Sequence, residues 1–145
     1  MENQSLSMLI WLRMIRFVER SNHLSNEFLE QYGLTVTQFE VLVQINAYEP
    51  ITQTELAEKL TVTRGGISRM LSRLEKGNFI TRKQNWKTKY ISLTTEGVDK
   101  LNECYKAQVA FQSSMFDEVL SSSEKEQLNI LIKKLYKHSF NKQIP

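Results

Sequence analysis

Residues 52–83 read TQTELAEKLTVTRGGISRMLSRLEKGNFITRK, and the fold follows from this stretch. Thr52 is followed three residues later by Glu55, the spacing of a capping box in which each side chain satisfies the other residue's orphan backbone amide. Ile51 and Leu56 stand at the staple positions around it. The spacing predicts a short helix with Leu56, Ala57 and Leu60 turned inward. A turn at Thr61-Val62 follows, and Thr63 is placed to cap a second helix. In that helix Ile67, Met70, Leu71 and Leu74 recur at i, i+3, i+4 and i+7, which is one apolar stripe. Its other face carries Arg64, Gly65, Ser68, Arg69, Ser72 and Arg73. Gly77-Asn78 ends it. Two short helices across a tight turn, the second polar and basic on one face, form a minimal helix-turn-helix.

The period then changes. Phe79–Lys83 and Lys89–Leu93 alternate and are rich in β-branched residues, as strands are, with a polar loop Gln84–Thr88 between them. This predicts a basic β-hairpin, a wing, directly after the second helix. Between Lys59 and Lys89 nine basic residues face one acid, Glu75. That is a net +8, which in a chain of net +3 leaves −5 for the remainder. Such segregation suits a surface that faces a polyanion.

Upstream, residues 6–32 predict a long helix with Leu6, Ile10, Met14, Phe17, Val18, Ser21, Leu24 and Phe28 in register. Leu9, Trp11, Leu12 and Ile15 lie off that stripe, so the first half is apolar on more than one face. A helix of that kind buries its second face against another chain. Gly33 ends it. Thr37 with Glu40 reads as the capping box of a core helix that runs to Tyr48 and stops at Pro50. Downstream, Thr94 caps a long helix with a stripe of Val98, Leu101, Tyr105, Val109, Gln112, Phe116 and Val119. Ser121 with Glu124 caps a last helix carrying Leu128, Leu131, Ile132, Leu135 and Tyr136. The expected fold is mainly α, four helices, a two-stranded wing and two more helices. Residues 37–94 would form the winged helix-turn-helix domain, and 1–36 with 95–145 a helical dimerisation region.

Length and composition narrow the function. The chain has 145 residues, 41% hydrophobic and 24% charged, as one ordinary folded subunit has. The lone Cys104 makes no internal disulfide, and His23 and His138 lie too far apart for a local zinc site. Arg13 and Arg16 interrupt the apolar run at the N-terminus, and no segment is long enough to span a membrane, so a cytoplasmic location without membrane contact is expected. No nucleophile–base pair, phosphate loop or metal spacing is present. Neither an enzyme nor a cofactor is expected.

Double-stranded DNA is the partner this chemistry fits. Arg64 and Arg69 can fork onto guanine O6 and N7, while Thr63 and Ser68 reach bases or phosphates. Ser72 and Arg73 share that face, and Arg82, Lys83, Lys87 and Lys89 line the wing. The helix starts near Thr37 and Thr52 present free amides to phosphates, with Gln38, Gln53 and Thr54 beside them; ordinary capping is the plainer role for each. Gly65 and Gly66 either admit close backbone approach or simply loosen the helix start. Trp86 stacks on a sugar or folds back onto the wing, the second being preferred.

Leu56–Leu60, Val62-Thr63 opening Arg64 to Arg69, Leu74–Ile80, Leu93–Gly97 and the start of the last helix together resemble the MarR family of bacterial winged-helix repressors. The resemblance spans nearly the whole chain. It implies a homodimer on a pseudo-palindromic operator, with recognition helices in successive major grooves and wings in flanking minor grooves. It also implies a small aromatic or lipophilic effector, for which Met8, Trp11 and Arg13 can line a pocket, although packing at the dimer interface is favoured for each. Cys104 reads as structural. The family's wing carries an Asp-x-Arg motif, where this chain has Asn85 and Lys87. A neutral amide and a lysine make no bidentate ion pair, so that anchoring is not expected here. A winged-helix protein–protein adaptor is the alternative, and the segregated charge opposes it.

Overall fold

The computed structural model describes residues 5–60 and 64–145. The expected turn Thr61-Val62 and the capping Thr63 lie outside these residues. Of Arg64 and Gly65 only the helical backbone is described.

Helix α1 spans Leu6–Leu29 and starts at Ser5, whose hydroxyl accepts the Met8 amide. Its last turn tightens into a 3-10 turn, Glu30–Tyr32, closed by Gly33 at φ 72°. Glycine adopts this left-handed conformation without steric cost. Helix α2 spans Val36–Tyr48. Its cap is not the expected Thr37–Glu40 box. Thr35 caps it, accepting the Gln38 amide at 3.1 Å, and Gln38 Oε1 accepts the Thr35 amide at 2.9 Å. Both pairs have the right spacing. The choice is tertiary, because Asn26 Oδ1 in α1 accepts the Val36 amide at 2.8 Å and makes Val36 the first helical residue.

Strand β1, Ile51–Thr52, precedes α3, Gln53–Lys59. Here the expected Thr52–Glu55 box is present. Helix α4 spans Arg64–Lys76, followed by β2, Ile80–Asn85, and β3, Thr88–Leu93. The strands are longer than their sequence pattern, which leaves only Trp86-Lys87 as the turn. The sheet has three antiparallel strands in the order β1-β3-β2, with Ile51 opposite Ile91. Two residues carry no periodicity, so β1 was not legible. Helix α5, Thr95–Asp117, is capped by Thr94 as expected, its hydroxyl accepting the Gly97 amide at 2.9 Å.

The chain forms two compact units, Met1–Val109 and Ala110–Pro145. In the first, Leu29, Val41, Leu42, Ile45, Ile51, Leu56, Ile67, Leu71, Leu74, Ile80 and Ile91 form one buried core. The buried line of α5 is Gly97, Leu101, Cys104 and Gln108. This corrects the expected stripe, from which Tyr105 and Val109 emerge exposed while Leu101 alone is buried. Bulk misled there: small Gly97 and Cys104 fit where α5 lies closest to the core. In the second unit Ser121 and Glu124 form the expected box at the start of α6, Ser122–Ser139. The Ser121 amide and hydroxyl hold the Glu124 carboxyl below its usual range. Lys125 pairs with Asp117 at 2.6 Å. No residue of α6 is buried.

Candidate nucleic-acid interface

The core holds α4 by one side. Ile67, Leu71 and Leu74 are at most 1% exposed. At 100° per residue this commits Ser68, Arg69, Ser72 and Arg73 to the opposite side, and all four are exposed. The split follows from residue type: burying three aliphatic side chains is worth roughly 1.5–3 kcal/mol each, whereas burying an unpaired guanidinium is costly.

Hydrogen bonds from two residues, Gln53 and Arg82, position this face. Gln53 Nε2, in the first turn of α3, donates to Ser68 Oγ at 2.8 Å. This ties the two helices of the motif together. Arg82 on β2 turns back toward α4, where its Nε donates to Glu75 Oε2 at 3.0 Å and Nη2 to Glu75 Oε1 at 3.4 Å. Nη2 also lies 3.5 Å from Ser72 Oγ. The only acid in the basic block is therefore a brace between α4 and the wing.

The remaining sequence-predicted residues distribute as follows. Thr52 caps α3, Thr37 is half-buried in the first turn of α2, and Gln38 is engaged in the Thr35 cap. Lys83, Lys87 and Lys89 are exposed along the wing. Met8 and Trp11 are exposed on α1, at 47% and 57%, and Arg13 is exposed too, but on the opposite side of the helix from Trp11. None of the three lines the open cleft of about 380 Å³ between the end of α1 and the start of α2, which is bounded by His23, Glu27, Glu30 and Gln38 among others. Trp86 does not fold back onto the wing, contrary to the preferred expectation; it is 85% exposed. Sequence reasoning missed the Gln53–Ser68 bond and the Glu75 brace, because both join residues on different elements.

Among the described residues no group of three or more His, Cys, Asp or Glu is placed to hold a metal ion, and no helix is long and apolar enough to cross a membrane. Cys104 is fully buried; loss of solvent pushes its thiol pKa up, and Sγ sits 3.7 Å from the Leu101 carbonyl. A protonated, covered thiol is a poor nucleophile. Iodoacetamide at pH 8 is therefore expected to leave native Cys104 unmodified over a time in which alkylation in urea is complete, as mass spectrometry will show. Equal rates in the two states would refute the buried placement.

A helix-turn-helix braced to a cationic wing defines the class of winged-helix regulators. Comparison with known proteins places the chain within it. The MarR family model matches residues 34–87. An HTH-type transcriptional regulator of Bacillus cereus is 56% identical over 145 residues, covering 100% of this chain and 99% of that protein. The multiple antibiotic resistance protein MarR of Escherichia coli K12 is 31% identical over 127 residues, covering 85% of this chain and 88% of that one. The crystal structure of a MarR mutant from E. coli complexed with operator DNA aligns with a TM-score of 0.80 at 28% identity, covering 91% of this chain and 99% of the other. The chain belongs to the MarR family of transcriptional regulators, and it is not an enzyme.

Proposed function

We propose that this protein is a homodimeric repressor that binds a pseudo-palindromic duplex operator and is released from it by a small aromatic or lipophilic effector. One observation carries the DNA-binding role: α4 is held by a fully buried aliphatic side and offers Ser68, Arg69, Ser72 and Arg73 outward. In this proposal α4 enters the major groove, with Arg64 and Arg69 reading bases and Ser68, Ser72 and Arg73 at bases or phosphates. Lys83, Lys87 and Lys89 meet the backbone from the wing. Thr37, Gln38, Thr52 and Gln53, at the starts of α2 and α3, approach phosphates, the same role is proposed for Thr63 and Gly65, and Arg82 acts through its brace to Glu75. The operator complex of the E. coli relative supports the same role.

Residues 37–94 act as the DNA-binding part, and 1–36 with 95–145 as the dimerisation part. Support for the dimer comes from apolar side chains left in solvent: Leu6, Ile10, Trp11 and Val18 on α1, and Ile130, Leu131, Leu135 and Tyr136 on α6. Isolated chains rarely leave so much apolar surface uncovered. For the effector, Met8 and Trp11 offer an apolar surface on one side of α1, and Arg13 a cation on the other side of the same helix. Sedimentation should give a dimer at micromolar concentration, and a monomer there would count against the assembly.

Selecting duplexes from a random pool, with and without small aromatic acids, tests the whole proposal. On the selected site, Arg69→Ala is expected to cost about 1–3 kcal/mol and to relax base choice at one position. Lys83→Ala should weaken all sequences alike and reduce the salt slope by about one. Fluorescence anisotropy across a salt series separates the two. If Arg69→Ala weakens every sequence equally, the base-reading role is wrong. If no duplex is retained even at low salt while a stable protein partner is, the chain is an adaptor.

A further inference from the structure

The wing ends in a turn of only Trp86 and Lys87, beyond the Asn85–Thr88 pair. Trp86 holds φ at 59°, a conformation that glycine and asparagine adopt readily and bulky residues rarely do. Its indole is 85% exposed, more than any other aromatic side chain among the described residues. Folding favours tryptophan here on neither count, since glycine would relieve the backbone and remove apolar surface from water. The turn is nonetheless well held, because Gln84 Nε2 donates to the Trp86 carbonyl at 3.0 Å. Around it the charge has one sign: Lys83, Lys87 and Lys89 are exposed, residues 80–93 contain no acid, and Lys87 Nζ lies 5.2 Å from the centre of the indole ring.

A flat apolar ring on a stiff cationic arm fits a partner that presents apolar faces between anions. Nucleic acid does so, with phosphates outside and base faces within. The major groove accepts a helix or a two-stranded ribbon, whereas the minor groove is only about 6 Å wide. A single side chain at the tip of a two-residue turn is narrow enough for it. We propose that Trp86 is an apolar wedge, inserted in the minor groove beside the half-site read by α4, where it partly unstacks one base step. It thereby determines specificity through deformability: pyrimidine–purine steps such as TA and CA unstack most easily and are preferred under the wing. This rests on the duplex-binding role proposed above and names the contact made by a residue that role leaves unused.

The test uses the full-length protein and the selected duplex, with binding followed by anisotropy of a labelled end and insertion by tryptophan emission. Emission should fall on binding with the same midpoint as anisotropy. The change should vanish in W86F, which keeps an aromatic ring and most of the affinity. W86A should bind about 10-fold more weakly. Replacing a TA step under the wing by a stiff AA step should weaken the native protein several-fold and leave W86A unaffected. W86G should keep or raise the melting temperature while losing the same affinity, which excludes misfolding as the cause. Tight binding with unchanged emission and intact affinity in W86A would overturn the wedge and leave DNA binding standing. Equal sensitivity of W86A and native protein to the TA replacement would overturn the deformability role. Absence of an anisotropy change with any duplex at low salt would instead remove the role on which the wedge rests.

Discussion

Gly97→Ala is expected to destabilise the protein by about 3 kcal/mol, although alanine is the better helix former by about 1 kcal/mol. Gly97 lies buried in the first turn of α5, where an added Cβ would collide with the Phe79 carbonyl oxygen and sit 3.0 Å from its carbon. The obstacle is backbone, not the end of a flexible side chain, so relief requires moving the chain. That carbonyl is already committed, because it accepts the Thr94 amide at 3.0 Å. The Thr94 hydroxyl in turn donates to the Asn78 carbonyl at 2.6 Å and accepts the Gly97 amide at 2.9 Å. Two of these bonds join the start of α5 to the point where α4 ends and the wing begins, the third closes the α5 cap, and a methyl group at Gly97 pushes on all three. Urea denaturation should show a lower midpoint at unchanged slope. A midpoint at or above that of the native protein, as helix propensity alone would give, refutes the close approach.

Leu71→Ala is expected to cost about 2–5 kcal/mol, the range for emptying a buried leucine site. Leu71 is 0% exposed, midway between Ile67 and Leu74 on the side of α4 that meets the core. Neighbouring Arg73 lies on the exposed side, so Arg73→Ala should change stability by no more than about 0.5 kcal/mol while weakening DNA binding. The pair separates the two faces of one helix by two different measurements. If urea midpoints show Leu71→Ala costing less than about 1 kcal/mol, the helix is not anchored by this stripe, and its outward face has no fixed aim.

Much of the fold was legible because its determinants are local. The boxes at Thr52–Glu55 and Ser121–Glu124, the Thr94 cap and the left-handed Gly33 each depend on residues a few positions apart, and each stands where the spacing put it. The α4 stripe was legible for the same reason, as was the basic face it leaves outside. Where two local solutions competed, as at Thr35–Gln38 and Thr37–Glu40, spacing did not discriminate. Asn26, ten residues upstream, decided it. The sheet shows the same limit. Strand β1 exists only because Ile51 and Thr52 meet β3, and Glu49 Oε2 accepts the Leu93 amide at 2.7 Å across 44 residues.

At the candidate interface the division is sharper. Which residue types gather there was evident from the charge of residues 59–89, but not how each is used. Arg82 and Lys83 are adjacent cations in the sequence; one is spent on Glu75 and the other faces solvent. Trp86 had two readings until its ring proved 85% exposed at the tip of the turn.

By itself, then, the order of residues determined the helices, the wing, the anchored and free sides of α4 and the family, since capping and amphipathic periodicity act within a turn or two of chain. Tertiary structure alone decided the cap of α2, the third strand, the buried line of α5, the brace on Arg82 and the outward Trp86. Those depend on which distant atoms come within about 3 Å when the chain closes, a distance that no local pattern encodes.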